Sequence, residues 1–129
     1  MEDNPADVNL IREALDEHQV ECKLIHIRDG QRALEFIESL DAEQRPSLDL
    51  VILDLNLPRK PGSVVLEAIR ASASCPSVPV AVLTSSDNQK DKNEAARLGA
   101  SVYIRKPSRL AEFLKLGGTF KEMIGRTSQ

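Results

Sequence analysis

Aromatic side chains are nearly missing from this sequence: one Tyr, three Phe and no Trp in 129 residues. The core must therefore be aliphatic, and a surface built for stacking nucleic-acid bases is excluded. A basic excess is missing too. Lys and Arg number 17 against 20 Asp and Glu, a net charge of −3, so no global field attracts nucleic acid or an anionic membrane. No apolar run approaches the roughly 20 residues that a membrane helix needs. The first residues are acidic and polar, so no secretory signal is expected and the cytoplasm follows by default. The two cysteines, Cys22 and Cys75, form no CxxC pair and have no nearby His at metal-ligand spacing, so two reduced thiols are expected. No GxGxxG follows a strand-like run, which argues against a dinucleotide enzyme.

What is present suits one compact domain over residues 1–129, with 41% hydrophobic residues to fill a core. Asn4-Pro5 opens a first helix, with Asn4 as cap and Asp7 placing negative charge beside unpaired helix N–H groups. Val8, Ile11 and Leu15, with Leu10 beside them, give that helix an apolar face. Residues 21–27 read as a strand, and Asp29-Gly30 leads into a second helix with Ala33, Leu34, Ile37 and Leu40 inside. LDLVIL at 48–53 and VPVAVL at 78–83 are nearly continuous apolar runs, as expected of strands covered on both faces. Val64, Val65, Leu66 and Ile69 mark a third helix between them. Asp87 is placed to cap a fourth helix that stops at Gly99. Ser101 to Ile104 is a short strand, and Lys106-Pro107 leads into a last helix that Gly117-Gly118 should bend or end. Strands alternating with helices predict an α/β fold, a parallel sheet with helices on both faces.

Such sheets bind ligands at the C-terminal ends of their strands. There this sequence collects its chemistry. Asp54 ends one apolar strand, Thr84 and Ser85 end another, Lys106 follows a third, and Glu2-Asp3 stand just before the first helix. Clustered carboxylates repel, and a divalent cation relieves the repulsion. Mg2+ takes oxygen ligands and binds through one or two carboxylates plus phosphate oxygens. A carboxylate can also attack phosphorus to give an acyl phosphate. Phosphoryl transfer needs mainly alignment and neutralised oxygen charge, which Mg2+ and the Lys106 ammonium can share. Taken singly, Asp54 is a loop residue, Lys106 a solvated side chain, Thr84 a strand end and Glu2-Asp3 a charged terminus. Independent causes would not bring all of them to the ligand edge.

These residues resemble the receiver domain of two-component response regulators. The resemblance rests on Glu2-Asp3-Asn4-Pro5, on Asp54-Leu55-Asn56-Leu57-Pro58 with Gly62, on Thr84-Ser85 and on Lys106-Pro107, and it covers nearly the whole chain. The runs EDNPAD and DLNLPRK look most like single-domain regulators that partner phytochrome-type histidine kinases. The resemblance implies a flavodoxin-like, doubly wound parallel sheet. It implies that Asp54 accepts phosphate from a sensor histidine kinase, that Glu2, Asp3, Asp54 and the Asn56 backbone carbonyl bind Mg2+, and that Lys106 pairs with the phosphoryl group. Thr84 and Tyr103 become switch residues, and Pro107 follows a cis peptide. Pro61 stands where the family often has an acidic or small polar residue, and should stiffen its loop.

One departure bears on the whole site. Receivers begin with a short apolar strand before the acidic pair, between the strands that here contain Leu24 and Val51; this sequence starts MEDN. Losing three or four buried aliphatic side chains removes about 1.5–3 kcal/mol each, comparable to a domain's net stability. The first central strand is thus expected to be missing or supplied by another chain. A homodimer is expected through edge-strand pairing or segment exchange, or else through the family's face of fourth helix, fifth strand and fifth helix. Two rival functions follow. One is a degenerate receiver that only binds proteins. The other is a phosphatase of the haloacid dehalogenase type, disfavoured because Asn56 stands where a general-acid Asp is needed.

Overall fold

The computed structural model describes residues 1–2, 4–20, 22, 24–43, 48–72 and 76–127. Among them the chain forms α1 (Pro5–Glu17), α2 (Gly30–Glu43), β1 (Val51–Leu53), α3 (Gly62–Ala71), β2 (Val80–Thr84), α4 (Gln89–Arg97), β3 (Val102–Arg105) and α5 (Leu110–Thr127). The three strands make one parallel sheet in the order β1-β2-β3, with Val51 opposite Val80 and Ala81 opposite Val102.

Side-chain alternation along β2 divides the core in two. Val80 and Val82 join Val51, Leu53, Val65, Leu66 and Ile69 under α2, α3 and α4. Ala81 and Leu83 join Ile11, Leu15, Phe113, Phe120 and Met123 under α1 and α5. All five residues of β2 are buried, which is why its sequence shows no polar alternation.

Local signals set the helix ends, with some changes from expectation. Asn4 caps α1 by accepting the Ala6 N–H at 3.0 Å. Asp29 accepts the Arg32 N–H at 2.8 Å at the head of α2. The cap of α4 is Asn88, which takes the Lys90 N–H at 2.8 Å. Asp87, expected in that role, pairs instead with Lys92 at 3.0 Å and Arg105 at 3.4 Å. Gly99 follows α4 with φ +100, the left-handed turn that its position predicts. Of the four residues that mark α3, Val64 is exposed, whereas Val65, Leu66 and Ile69 are fully buried.

The last helix does not bend or end at its glycines. α5 runs unbroken through Gly117-Gly118 because those residues serve a packing contact. A Cβ on Gly117 would lie 2.0 Å from the Ala14 carbonyl oxygen, so its absence lets α5 approach α1 backbone to backbone.

The strand expected over 21–27 is not formed among the described residues, and 24–28 run as irregular chain. The lane between this segment and β1 is not empty, however. Met1 N donates to Ile52 O at 2.8 Å, and Asp54 N donates to Met1 O at 3.1 Å. On the other side, Glu2 N donates to Ile27 O at 2.9 Å, and His26 Nε2 donates to Glu2 O at 2.7 Å. Met1 and Glu2 thus bridge β1 and the 24–28 segment along part of that lane. Alongside them a cavity of about 120 Å³ is lined by Val8, Ile11, Leu24, Ile27, Phe36 and Leu50, among others. Cys22 is a free, exposed thiol; Cys75 lies outside the described residues. Among the described residues no helix is long and apolar enough to cross a membrane.

Candidate functional site

Neighbouring parallel strands bring their C-terminal ends side by side. Asp54 directly follows β1, Thr84 closes β2 and Lys106 directly follows β3. The backbone holds these ends in register, since Lys106 N donates to Thr84 O at 2.7 Å. Met1 is bonded to Asp54 N, which places Glu2 at the same edge. The loop after Asp54 returns tightly through Gly62, whose N–H donates to Leu55 O at 2.9 Å. A Cβ on Gly62 would lie 2.4 Å from the Asp54 carbonyl oxygen, so only glycine permits that return. Pro61 caps α3 from extended backbone with φ −65.

The centre of the site is the Lys106 ammonium. Its Nζ lies 2.8 Å from Glu2 Oε2, 2.8 Å from Asp7 Oδ2 and 2.9 Å from Asp54 Oδ2. Glu2 and Asp54 are buried, and Lys106 is largely so. Asp54 Oδ1 accepts the Asn56 N–H at 2.9 Å. The Asn56 amide donates to Thr84 Oγ1 at 3.3 Å, and the Thr84 side chain is wholly buried.

These contacts divide the carboxylates. Burial pushes Asp54 upward, but hydrogen bonds from the Asn56 N–H, Lys106 and Thr84 outweigh it and hold its carboxyl below the ordinary value. Burial raises Glu2 to about 7, with the Asp54 charge adding to it and the Lys106 hydrogen bond opposing. Burial works against the Lys106 charge, yet Asp7, Glu2 and Asp54 together raise its pKa. Two like charges share one cation, and the better solvated of them by hydrogen bonds stays ionised.

Glu2, Asp54, Asn56, Thr84 and Lys106 are therefore gathered as the sequence reading placed them. Asp3 lies outside the described residues. Tyr103 is half-buried on β3, and its hydroxyl donates to the Ser86 carbonyl at 3.1 Å rather than to the carboxylates. The Lys106–Pro107 peptide is trans, as are all others among the described residues, where the resemblance implied cis. Trans is the lower-energy form for X–Pro bonds in general, by about 0.5–1 kcal/mol.

Two features were missed. Asp7 was read only as a favourable first-turn acid, and its reach to a lysine 99 residues away left no local signal. The Asn56 side chain was given no task, yet it holds the Thr84 hydroxyl.

Among the described residues no three or more His, Cys, Asp or Glu side chains are grouped to hold a metal. The donor chemistry still fits a hard cation. Glu2 and Asp54 offer two buried carboxylates at one point, and Mg2+ commonly takes only one or two from a protein.

The family described as response regulator receiver domain matches residues 1–116. Response regulator Rcp1 of Synechocystis sp. is 35% identical over 117 residues, which cover 90% of this chain and 80% of that protein. The Mn2+-bound structure of Rcp1 superposes with a TM-score of 0.82 at 33% identity, over 95% of this chain and 88% of that one. The phosphorylated cyanobacterial phytochrome response regulator RcpA gives 0.86 at 33% identity, over 100% of this chain and 93% of that one. The receiver domain of sensor histidine kinase PA1611 from Pseudomonas aeruginosa PAO1, with a magnesium ion in its active-site cleft, gives 0.73 at 28% identity, over 97% and 93%.

Proposed function

The chain belongs to the response regulator receiver family, and from that premise we propose that it accepts a phosphoryl group on Asp54 from a sensor histidine kinase. The carrying observation is the Lys106 ammonium 2.9 Å from Asp54 Oδ2 at the buried end of β1. The family is one of signalling domains rather than conventional enzymes, and this chain's output is a change of protein contacts.

The residues divide the work. An Asp54 carboxylate oxygen forms the new O–P bond while the P–N bond of the kinase phosphohistidine breaks and the imidazole leaves. Hydrogen bonds that keep Asp54 ionised keep it a nucleophile. Lys106 turns a proton from Asp54 to a phosphoryl oxygen as a point charge. The Thr84 hydroxyl leaves the Asn56 amide and donates to a phosphoryl oxygen, and Tyr103, tied to the loop after β2, follows that movement. Mg2+ is the cation this chemistry calls for; Glu2, Asp3, Asp54 and the Asn56 backbone carbonyl would hold it, and it would supply neutralisation of carboxylate and phosphoryl oxygen charge. The metal-bound structures of related receivers support it.

Intact-mass measurement after incubation with acetyl phosphate tests the reading. One phosphoryl group per chain is expected with Mg2+, none without it and none in Asp54→Asn. Label at another residue, or none on the wild type, would count against it.

A second reading, a phosphorylation-independent binding module, draws on one observation. The Lys106 ammonium already serves as cationic partner to both Glu2 and Asp54. Absence of Mg2+ binding at millimolar concentration would favour it. The single domain over 1–129 is expected to act in the cytoplasm. A homodimer through edge pairing, segment exchange or the α4-β3-α5 face belongs to the same proposal. Light scattering separates these routes: a mass that doubles only with acetyl phosphate points to the α4-β3-α5 face, and a constant double mass to pairing at the sheet edge.

A further inference from the structure

Lys106 carries three ammonium protons, and each has a carboxylate. Two of those partners, Glu2 and Asp54, belong to the phosphoacceptor site as described. The third, Asp7, stands outside it, in the first turn of α1. A first-turn acid gains from the helix dipole without touching any cation. Here, though, Asp7 Oδ2 is 2.8 Å from Nζ, and its side chain is mostly buried.

The helix that carries Asp7 is firmly placed. Asn4 caps it through the Ala6 and Val8 N–H groups at 3.0 and 3.2 Å. Val8, Ile11, Ala14 and Leu15 are buried. Gly117 lets its far end pack on α5 without an intervening side chain. Glu2 is held in another way, outside any helix, by its N–H donating to Ile27 O at 2.9 Å and by His26 Nε2 donating to its carbonyl at 2.7 Å. Lysine reaches its target on a flexible four-carbon stem whose rotamer freedom must be given up when the charge is fixed. An acceptor on a rigid helix supplies that fixation.

We propose that Asp7 is a positioning residue for phosphoryl transfer, anchoring the Lys106 ammonium to α1 so that one proton stays aimed at the Asp54 oxygens. Asp7 does not touch the phosphoryl group. When Asp54 is phosphorylated, the ammonium N–H now aimed at Asp54 turns to donate to a phosphoryl oxygen, while Lys106 keeps its charge and its bond to Asp7. This role rests on the function proposed above.

The test is a double-mutant cycle read by acetyl phosphate labelling of Asp54 at saturating Mg2+, so that metal affinity does not enter. Asp7→Ala is expected to lower the maximal labelling rate about tenfold, the scale of one lost charge-assisted hydrogen bond. Asp7→Asn keeps the shape and an acceptor without the charge, and should fall between; Asp7→Glu should recover part of the rate. In a Lys106→Met background, Asp7→Ala should add nothing, because its effect runs through Lys106. Nitrogen-15 NMR of the lysine ammonium groups gives a second readout. The Lys106 signal should exchange slowly in the wild type and broaden or vanish in Asp7→Ala, at unchanged folding. Wild-type labelling rates in both Asp7→Ala and Asp7→Asn overturn the role, as does an Asp7→Ala defect that survives in full beside Lys106→Met. A wild-type chain that takes no label at Asp54 sinks the proposed function and this role with it. Label on the wild type with unchanged Asp7 variants sinks this role alone.

Discussion

At the scale of single residues, the site is an exercise in dividing charge. Lys106 faces three carboxylates, and burial makes the ionisation of two of them, Glu2 and Asp54, interdependent. Asp54 keeps its charge because N–H and O–H donors surround it, whereas Glu2 is pushed up to about 7. The sign of the consequence follows from linkage. A carboxyl whose folded value lies above its ordinary 4.5 favours folding in its protonated form. That contribution is present below pH 4.5 and is lost as pH rises through about 7. Glu2→Gln keeps an acceptor for Lys106 and removes the charge, so without metal it should raise Tm at pH 8. A gain of about 1 kcal/mol, or about 4 °C, is the expected scale. The gain should shrink by pH 5, and thermal melts at the two pH values check it. Asp54, Thr84 and Lys106 were legible in the sequence because each adjoins an apolar run whose end can be counted. Asp7 was not, since its partner is set by how α1 lies across the sheet.

At the scale of elements, α5 shows how propensity yields to packing. Two adjacent glycines forecast a break, yet the helix continues from Leu110 to Thr127 because α1 needs the space that they leave. Helix propensity alone would make any Gly→Ala change here favourable by up to about 1 kcal/mol. Contact geometry separates the positions. Gly117→Ala would place a methyl 2.0 Å from Ala14 O and should destabilise by about 2 kcal/mol or more despite the better propensity. Gly125, with nothing within 4 Å of an added Cβ, should follow propensity and gain about 0.5–1 kcal/mol as Ala. Urea denaturation of the two variants decides the point, and equal effects would refute the packing account. The same override moved the α4 cap from Asp87 to Asn88. Asp87 is drawn to Lys92 and Arg105, the latter 18 residues away, and the neighbouring Asn takes the Lys90 N–H.

At the scale of the whole molecule, order is graded across the sheet. β2 is buried throughout and paired on both sides, while beyond β1, among the described residues, Met1 and Glu2 bridge to the irregular residues 24–28. Amide exchange should follow that gradient. Val80 to Thr84 should exchange slowest, near the rate set by global unfolding, and Ile25 to Arg28 orders of magnitude faster; exchange monitored by mass spectrometry checks this, and equal protection would contradict it. The sequence by itself determined the α/β class, the parallel sheet, the apolar strands and the residues at their ends. Those are properties of periodicity, of β-run length and of the positions where a polar residue interrupts a run, and all of them are local. It did not determine what stands beside β1, where Met1 and Glu2 supply hydrogen bonds that no apolar pattern announces. Nor did it determine that Gly117 is a contact or that Asp7 completes the coordination of Lys106. Those features depend on which distant surfaces meet, and only the packing of helices on the folded sheet decides that.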